Sequence, residues 1–159
     1  MNIRVGIGFD FHIFKRDVPL ILGGVKIPWE FGLVSETDGD ILIHAIVDAL
    51  LGAAGVGDIG EFFGKEWKGR SSVDILKETM KILKKRGGEI VNIDATILME
   101  KPKISPFKER IVENLSKIME IEKSVISIKG KTMEKMGVIG EGKGASSLVV
   151  VLVKFPLSS

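Results

Sequence analysis

The segment over 37–60 reads TDGDILIHAIVDALLGAAGVGDIG and contains the most apolar helix pattern of the sequence. Nearly every residue from 41 to 54 is apolar, which is typical of a helix that is buried on all sides. Thr37 is a suitable N-cap and Gly55 a suitable stop, so the pattern predicts a helix from Thr37 to about Gly55. A helix of this kind needs neighbouring elements on every side, so it belongs at the centre of the domain.

The segments around this helix alternate between strand and helix patterns. Residues 2–9 place every second apolar side chain on one face, as a strand does. This order of elements predicts an α+β fold, a single domain over 1–159 with one mixed sheet and helices packed on one face. Another subunit is expected to cover the other sheet face. The remaining predicted elements are a hairpin over 20–27, helices over 71–86 and 105–119, and strands over 90–99, 125–131 and 145–154.

The amino-acid composition argues against several kinds of site and several classes of function. The 159 residues include no Cys and two His, which excludes disulfides, thiolate metal sites and Cys nucleophiles. A net charge of +2 is too balanced for a nucleic-acid coat. No apolar run has the length of a membrane span, and the N-terminus lacks a signal-peptide pattern. We therefore expect a cytoplasmic protein that binds neither nucleic acid nor membrane.

Carboxylates surround both histidines. Asp10 and His12 are two residues apart at the end of a predicted strand, so their side chains point the same way. His44 shares a helix stripe with Asp40 and Asp48, and a carboxylate behind an imidazole is a common support of a metal ligand. Each motif alone also fits an ordinary turn or a hydrogen-bonded core histidine. Asp10, His12 and His44 together would leave a fourth coordination position open, as in catalytic zinc sites.

Three further segments contain residues that could bind phosphate groups, cations or sugar hydroxyls. The sequence GVIGEGKG over 137–144 approaches a phosphate-binding loop, but Gly144 replaces the hydroxyl residue and a strand follows. A glycine-rich hairpin or a subunit-contact loop is the better interpretation. Residues 129–135 could bind a diphosphate and its cation, or form a solvated charged loop. Residues 57–60 could form a plain turn or contact sugar hydroxyls through Asp58.

Taken together, these segments resemble the 2-C-methyl-D-erythritol 2,4-cyclodiphosphate synthases, lyases of the non-mevalonate pathway of isoprene biosynthesis. The resemblance implies a homotrimer with its sheets facing the three-fold axis and its active sites between subunits. It also implies a cytidine diphosphate-linked substrate, 4-diphosphocytidyl-2-C-methyl-D-erythritol 2-phosphate, converted to the cyclic diphosphate and CMP. The matching segments are GFDFH (8–12), ILGGVKIP (21–28), the 37–60 stretch, KPK (101–103) and KTMEKMGVIGEGKG (131–144).

The same resemblance implies two metal sites. Asp10, His12 and His44 match the zinc ligands of the family. Glu134 matches the ligand of a magnesium or manganese ion held by the substrate diphosphate.

Roles in catalysis and substrate binding also follow from the resemblance. Thr132 matches a residue that stabilises the transition state, and relatives commonly carry a His partner for it where Glu36 stands. The implied substrate contacts are Asp58, Ile59, Gly60, Pro102, Lys103, Ile104, Ser105, Lys131, Thr132, Met133 and Glu134.

The sequence departs from the family at several positions. The Glu36 carboxylate should repel phosphates, so this residue faces away, binds a cation or acts through water. Ile7 stands where many relatives have His. Val138 and Glu141 stand where relatives often have Phe and Arg around a cavity on the three-fold axis. Because Glu141 reverses the charge of that cavity, we do not expect it to bind an isoprenoid diphosphate.

Two other functions would use the same three metal ligands. A zinc-dependent phosphoester hydrolase would release a linear phosphate that carries an oxygen from water. A non-catalytic, metal-stabilised trimer would release no product and would dissociate when the metal is removed.

Overall fold

The computed structural model describes residues 1–157, so the predicted domain over 1–159 extends two residues beyond the described range. The strands are β1 (Asn2–Arg16), β2 (Leu20–Leu22), β3 (Val25–Ile27), β4 (Phe31–Leu33), β5 (Glu89–Leu98), β6 (Ile126–Lys131) and β7 (Gly144–Phe155). The helices are α1 (Ile41–Ala54), α2 (Ile59–Phe62), α3 (Ser72–Lys85), α4 (Lys108–Met119) and α5 (Gly137–Gly140).

Five of the strands form one mixed sheet with the order β4-β1-β7-β5-β6. β7 lies at its centre and pairs antiparallel with both β1 and β5, while β6 runs parallel to β5. β2 and β3 form a separate hairpin, as the sequence predicts. The mixed sheet and the α+β class are thereby confirmed.

The backbones of β1 and α1 are in direct contact. Gly6 and Gly8 are buried on the face of β1 that meets the helix, and a Cβ built on Gly8 would overlap the carbonyl oxygen of Ala45. A Cβ on Gly6 would overlap the carbonyl oxygen of Ala49 in the same way. Since neither strand residue has a side chain, α1 approaches the sheet closely and most of its surface is buried. Among residues 1–157, no helix is both long enough and apolar enough for a membrane span.

The opposite face of the sheet is apolar and uncovered in the single chain. Side chains that project from β1 on this side are 57–66% exposed at five positions. Helices therefore pack on one face of the sheet, as predicted. The apolar sheet face, as we call it below, comprises Ile3, Val5, Ile7, Phe9, Phe11, Ile13, Leu148 and Val150.

The start of the central helix differs from the prediction. α1 begins at Ile41, and its N-cap is Asp40, whose carboxylate accepts a hydrogen bond from the N–H of Ile43 at 3.0 Å. Thr37 is not the N-cap, because Gly39 has a φ of 72°, which interrupts helical geometry before Asp40. The predicted end is correct, since Gly55 adopts the left-handed conformation of a C-cap.

β1 is longer than the predicted strand over 2–9. It continues to Arg16 because β7 pairs with it as far as Ile13 and β4 pairs with its last residues. The Asp10–His12 motif therefore lies inside a strand and not at its end, although the two side chains still share a face.

Short elements were the least predictable from the sequence. The sequence pattern does not indicate β4 or α2. The segment over 137–144 contains one helical turn, α5, so it is not a hairpin, and its role as a subunit-contact loop stays a prediction. The third predicted helix begins as a 3₁₀ turn at Ser105–Phe107 and becomes α-helical only at Lys108.

The contact between β1 and α1 predicts opposite effects for two glycine substitutions. Gly8→Ala should destabilise the protein by about 3 kcal/mol or more, since the added methyl group meets backbone that cannot move aside. Gly52→Ala is the matched control, because among residues 1–157 a Cβ there meets nothing within 4 Å apart from its chain neighbours and the adjacent backbone of α1. It should stabilise α1 by about 0.5–1 kcal/mol. Urea unfolding measures both, and an undisturbed Gly8→Ala would contradict the close approach.

Candidate metal-binding active site

The site begins at the row of β1 residues that faces α1. Strand alternation places Asp10 and His12 on the same face as Gly6 and Gly8. Since Gly8 packs against Ala45, the neighbouring residue His44 lies beside Asp10 although 34 positions separate them. The close packing of helix on strand thus creates the cluster.

The three side chains converge on one point. Asp10 Oδ2 lies 3.0 Å from His44 Nδ1 and 3.2 Å from His12 Nε2. One ligand atom from each residue lies within 4.8 Å of the other two. This confirms the predicted convergence of Asp10, His12 and His44.

The electrostatics of the cluster favour ionised Asp10. Burial acts to raise the pKa of Asp10, but hydrogen bonds from His12 and His44 outweigh burial and lower it to about 2. Burial likewise acts to lower the pKa of His44, and the hydrogen bond and charge of Asp10 raise it overall. A permanent carboxylate beside two imidazoles attracts a cation.

The donor set fits a metal such as zinc. Two imidazole nitrogens and one carboxylate oxygen are typical zinc ligands, and three protein ligands leave one position for substrate or water. Asp10, His12 and His44 would hold the ion, and His12 and Asp10 are both partly exposed on the side that a substrate could approach.

The carboxylates predicted to support His44 contact other groups. Asp40 accepts hydrogen bonds from the N–H groups of Gly23 and Gly24 and so fastens the β2–β3 turn to α1. Asp48 accepts one from the N–H of Ile59, at 2.8 Å. The prediction that Asp40 and Asp48 lie behind the imidazole is therefore wrong, because their carboxylates bind loops that pack against α1.

Two hydroxyl groups lie behind the His44 imidazole, where the carboxylates of Asp40 and Asp48 were expected. His44 Nε2 lies 2.8 Å from Ser72 Oγ and 3.1 Å from Thr37 Oγ1. Ser72 in turn donates hydrogen bonds to Asp38 from its hydroxyl and from its N–H. No local sequence pattern indicates Ser72 as a partner of His44, since it follows His44 by 28 residues.

Several other predicted residues lie near the metal cluster. Glu36 is exposed and immediately precedes Thr37, and its carbonyl oxygen accepts a hydrogen bond from Gly69. Asp58 caps α2, the helix that contains Ile59 and Gly60, and is itself exposed. The bond from Ile59 to Asp48 ties this turn to α1, one helical turn beyond His44.

A separate cavity of about 130 Å³ collects the predicted nucleotide-binding residues. The parallel pairing of β5 with β6 brings the segment after β5 next to the end of β6. Met133 and Glu134 follow in the same loop, outside the cavity lining. Glu100, which the sequence analysis missed, holds this loop by accepting hydrogen bonds from Met133 and Lys135 at 3.1 Å. The predicted residues that line the cavity are Pro102, Lys103, Ile104, Ser105, Lys131 and Thr132.

The metal cluster and this cavity lie apart in one chain. Asp10 pairs with Ser147, which pairs with Ile97, which pairs with Gly130 at the cavity. Three strand spacings separate the ends of this row, or about 14 Å. A second subunit would be needed to bring a copy of the cavity closer to the metal cluster.

The sequence and the fold of the chain are similar to those of known proteins. The YgbB family model matches residues 3–154. A 2-C-methyl-D-erythritol 2,4-cyclodiphosphate synthase of Treponema denticola is 46% identical over 154 residues, covering 95% of this chain and 96% of the relative. The bifunctional enzyme IspD/IspF of Aliarcobacter butzleri is 43% identical over 157 residues, and the chain spans 42% of its length. A solved structure of IspF from Plasmodium falciparum, a CDP complex, has a TM-score of 0.88 at 39% identity, covering 99% of this chain and 98% of that one.

Substitution of one metal ligand should weaken zinc binding and leave the protein folded. We expect Asp10→Asn to weaken zinc binding by more than about 100-fold, because even the outer partners of metal ligands contribute about 10–100-fold. Asp48→Asn is the control, since Asp48 lies on the same helix as His44 but binds the Ile59 loop. Chelator competition measures the affinity, and circular dichroism checks the fold. Wild-type zinc affinity in a folded Asp10→Asn variant would refute the ligand set.

Proposed function

The chain belongs to the YgbB family, whose relatives are 2-C-methyl-D-erythritol 2,4-cyclodiphosphate synthases, and on that premise we propose its reaction and mechanism. Like them it is an enzyme. The proposed substrate is 4-diphosphocytidyl-2-C-methyl-D-erythritol 2-phosphate, and the products are 2-C-methyl-D-erythritol 2,4-cyclodiphosphate and CMP. The convergence of Asp10, His12 and His44 is the observation that carries this proposal.

The reaction is an intramolecular phosphoryl transfer. An oxygen of the 2-phosphate forms a bond to the β-phosphorus, and the bond from that phosphorus to the bridging oxygen breaks. CMP leaves with the bonding electron pair. Because the attacking oxygen is already anionic near neutral pH, no general base is required, which suits a site without Cys or Tyr.

The residues of the chain have to overcome repulsion between phosphates. Zinc bound by Asp10, His12 and His44, with magnesium or manganese at Glu134, would supply positive charge to the phosphate oxygens. Thr132 is exposed at the end of β6, where its hydroxyl can donate to a phosphate oxygen in the transition state.

The cavity beside β6 is the proposed cytidine site. Pro102, Ile104 and Ser105 line it together with two lysines, and Lys103 and Lys131 add positive charge near the diphosphate. The similarity to a structure described as a CDP complex supports this assignment.

The turn at the start of α2 is the proposed contact for the methylerythritol part. Asp58 and its neighbours Ile59 and Gly60 lie on the metal side of the molecule, tied to α1 through Asp48. An exposed carboxylate such as Asp58 can accept hydrogen bonds from sugar hydroxyls. Holding the two ends of the substrate in line can contribute about 7–11 kcal/mol to lowering the barrier.

Glu36 lies next to a residue that contacts the metal cluster. Its neighbour Thr37 contacts His44 Nε2, so the backbone at 36 is held near the metal cluster. We propose that its carboxylate acts through a cation or water, because direct contact with phosphate would be repulsive.

The apolar sheet face supports a homotrimer. A face with side chains such as Val5 and Ile7 66% exposed is unfavourable in water and is typical of an interface between subunits. Association would also place the cavity of one subunit against the metal cluster of the next. At the cavity expected on the three-fold axis, the Glu141 carboxylate would neutralise Lys143, with which it pairs at 3.2 Å, so this pair would not attract an isoprenoid diphosphate. The single synthase domain over 1–159 and the cytoplasmic location remain predictions.

The product distinguishes this reaction from the two alternatives. We expect the purified chain to convert the cytidyl substrate into equal amounts of CMP and cyclic diphosphate, with no oxygen incorporated from ¹⁸O-labelled water. A chelator should abolish CMP release, and zinc together with magnesium or manganese should restore it. A linear phosphate labelled with ¹⁸O would indicate the hydrolase. No product from the metal-loaded chain would indicate the non-catalytic trimer.

Active sites between subunits predict complementation of two inactive variants. One is Asp10→Asn, and the other combines Lys103→Glu with Thr132→Ala in the cavity. Co-expression in equal amounts should restore about one quarter of wild-type activity, because each heterologous contact then pairs the two intact halves one time in four. Homogeneous trimers of either variant serve as controls. Activity that stays at the level of these controls would show that each site lies within one subunit.

A further inference from the structure

We propose that Ser72, held by the carboxylate of Asp38, is a positioning residue that fixes the direction of the His44 imidazole toward the metal. The proposal rests on the metal site of the proposed function and adds a support that the sequence did not indicate. It concerns the two hydrogen bonds that connect His44, Ser72 and Asp38.

The first step concerns the two nitrogens of His44. Nδ1 faces Asp10 Oδ2 at 3.0 Å, on the side of the metal cluster, and Nε2 faces Ser72 Oγ at 2.8 Å. A nitrogen that binds a metal uses its lone pair, so a metal at Nδ1 leaves the ring proton of neutral His44 on Nε2. That proton then requires an acceptor, which Ser72 Oγ provides.

The second step concerns the direction of the Ser72 hydroxyl. An ionised carboxylate can only accept hydrogen bonds, so the Ser72 hydroxyl must donate to Asp38 Oδ1. The N–H of Ser72 donates to the other oxygen of the same carboxylate at 2.9 Å. With both donors of Ser72 directed at Asp38, the remaining lone pairs of Oγ accept the proton of His44 Nε2. Asp38 therefore fixes the donor and the acceptor in each hydrogen bond from His44 through Ser72 to Asp38.

Burial makes this arrangement effective. Ser72 is completely buried and His44 is 9% exposed, so water competes little for either group. Thr37 also contacts Nε2, at 3.1 Å, but its hydroxyl lies 3.0 Å from Ser35 Oγ, where either oxygen can be the donor. Since no carboxylate fixes its direction, Thr37 does not impose the proton position as Ser72 does.

The neighbouring serine provides a matched control. Ser71 and Ser72 both lie at the start of α3, and Ser71 caps that helix by accepting a hydrogen bond from the N–H of Asp74 at 3.2 Å. Ser71→Ala therefore weakens the start of α3 without touching His44. A purely structural role for Ser72 would make the two alanine variants behave alike.

Zinc affinity is the first measurement. We expect Ser72→Ala to raise the zinc dissociation constant about 10–100-fold, as loss of an outer partner of a metal ligand typically does. Asp38→Asn should be at least as severe, because a released hydroxyl can donate to Nε2 and so oppose metal binding at Nδ1. Ser71→Ala should bind zinc as the wild type does. Unchanged affinity in folded Ser72→Ala, or an equal loss in Ser71→Ala, would overturn the proposal.

The Nε2 proton gives a second readout that does not depend on any variant folding. In zinc-loaded wild-type protein labelled with ¹⁵N-histidine, the chain has two imidazoles to assign. We expect a slowly exchanging Nε2–H signal from His44, which weakens or exchanges faster in Ser72→Ala. Rapid exchange of this proton in the wild type would overturn the proposal. Failure of the cyclisation assay alone would instead count against the proposed function, since zinc affinity and proton exchange require no substrate.

Discussion

The direct packing of the β1 backbone on α1 is the constraint on which the rest of the structure depends. Gly6 and Gly8 present no side chain to the helix, and the carbonyl oxygens of Ala45 and Ala49 occupy the space that a Cβ would need. This close approach buries the apolar helix against the sheet. It also places His44, which precedes Ala45 in α1, beside Asp10, which follows Gly8 on the same face of β1. One packing contact thus sets both the core and the metal cluster.

The polar groups around α1 have two separate roles: some bind the neighbouring loops, and others orient His44. Asp40 and Asp48 fasten loops to the helix, so they stabilise its surroundings. The orientation of His44 is left to groups from other elements, namely Asp10 on one ring nitrogen and Ser72 with its hydroxyl on the other. Because each ring nitrogen has its own partner, the imidazole has little freedom to rotate before a ligand arrives.

The sheet keeps the metal cluster and the cavity beside β6 apart within one chain. Asp10 and Gly130 lie in one row across four strands, so the metal cluster and this cavity are separated in the subunit. The apolar sheet face next to them supports assembly of subunits, as proposed for this family member. The same strands therefore separate the metal cluster from the cavity and carry the apolar face through which, as we propose, subunits associate.

The sequence was sufficient to predict the α+β class, the long strands and helices, and Asp10, His12 and His44 as candidate metal ligands, because apolar periodicity and the chemistry of Asp and His are local properties. The sequence allowed the convergence of these ligands only as a hypothesis, because the packing of β1 against α1 produces it. It did not determine that Asp40 caps α1, since the left-handed Gly39 overrides the favourable capping residue Thr37. Short elements such as α5 depend on a few turns with weak patterns. Only the tertiary structure decided that Ser72 supports His44, because a hydrogen bond between residues on separate helices depends on how those helices pack.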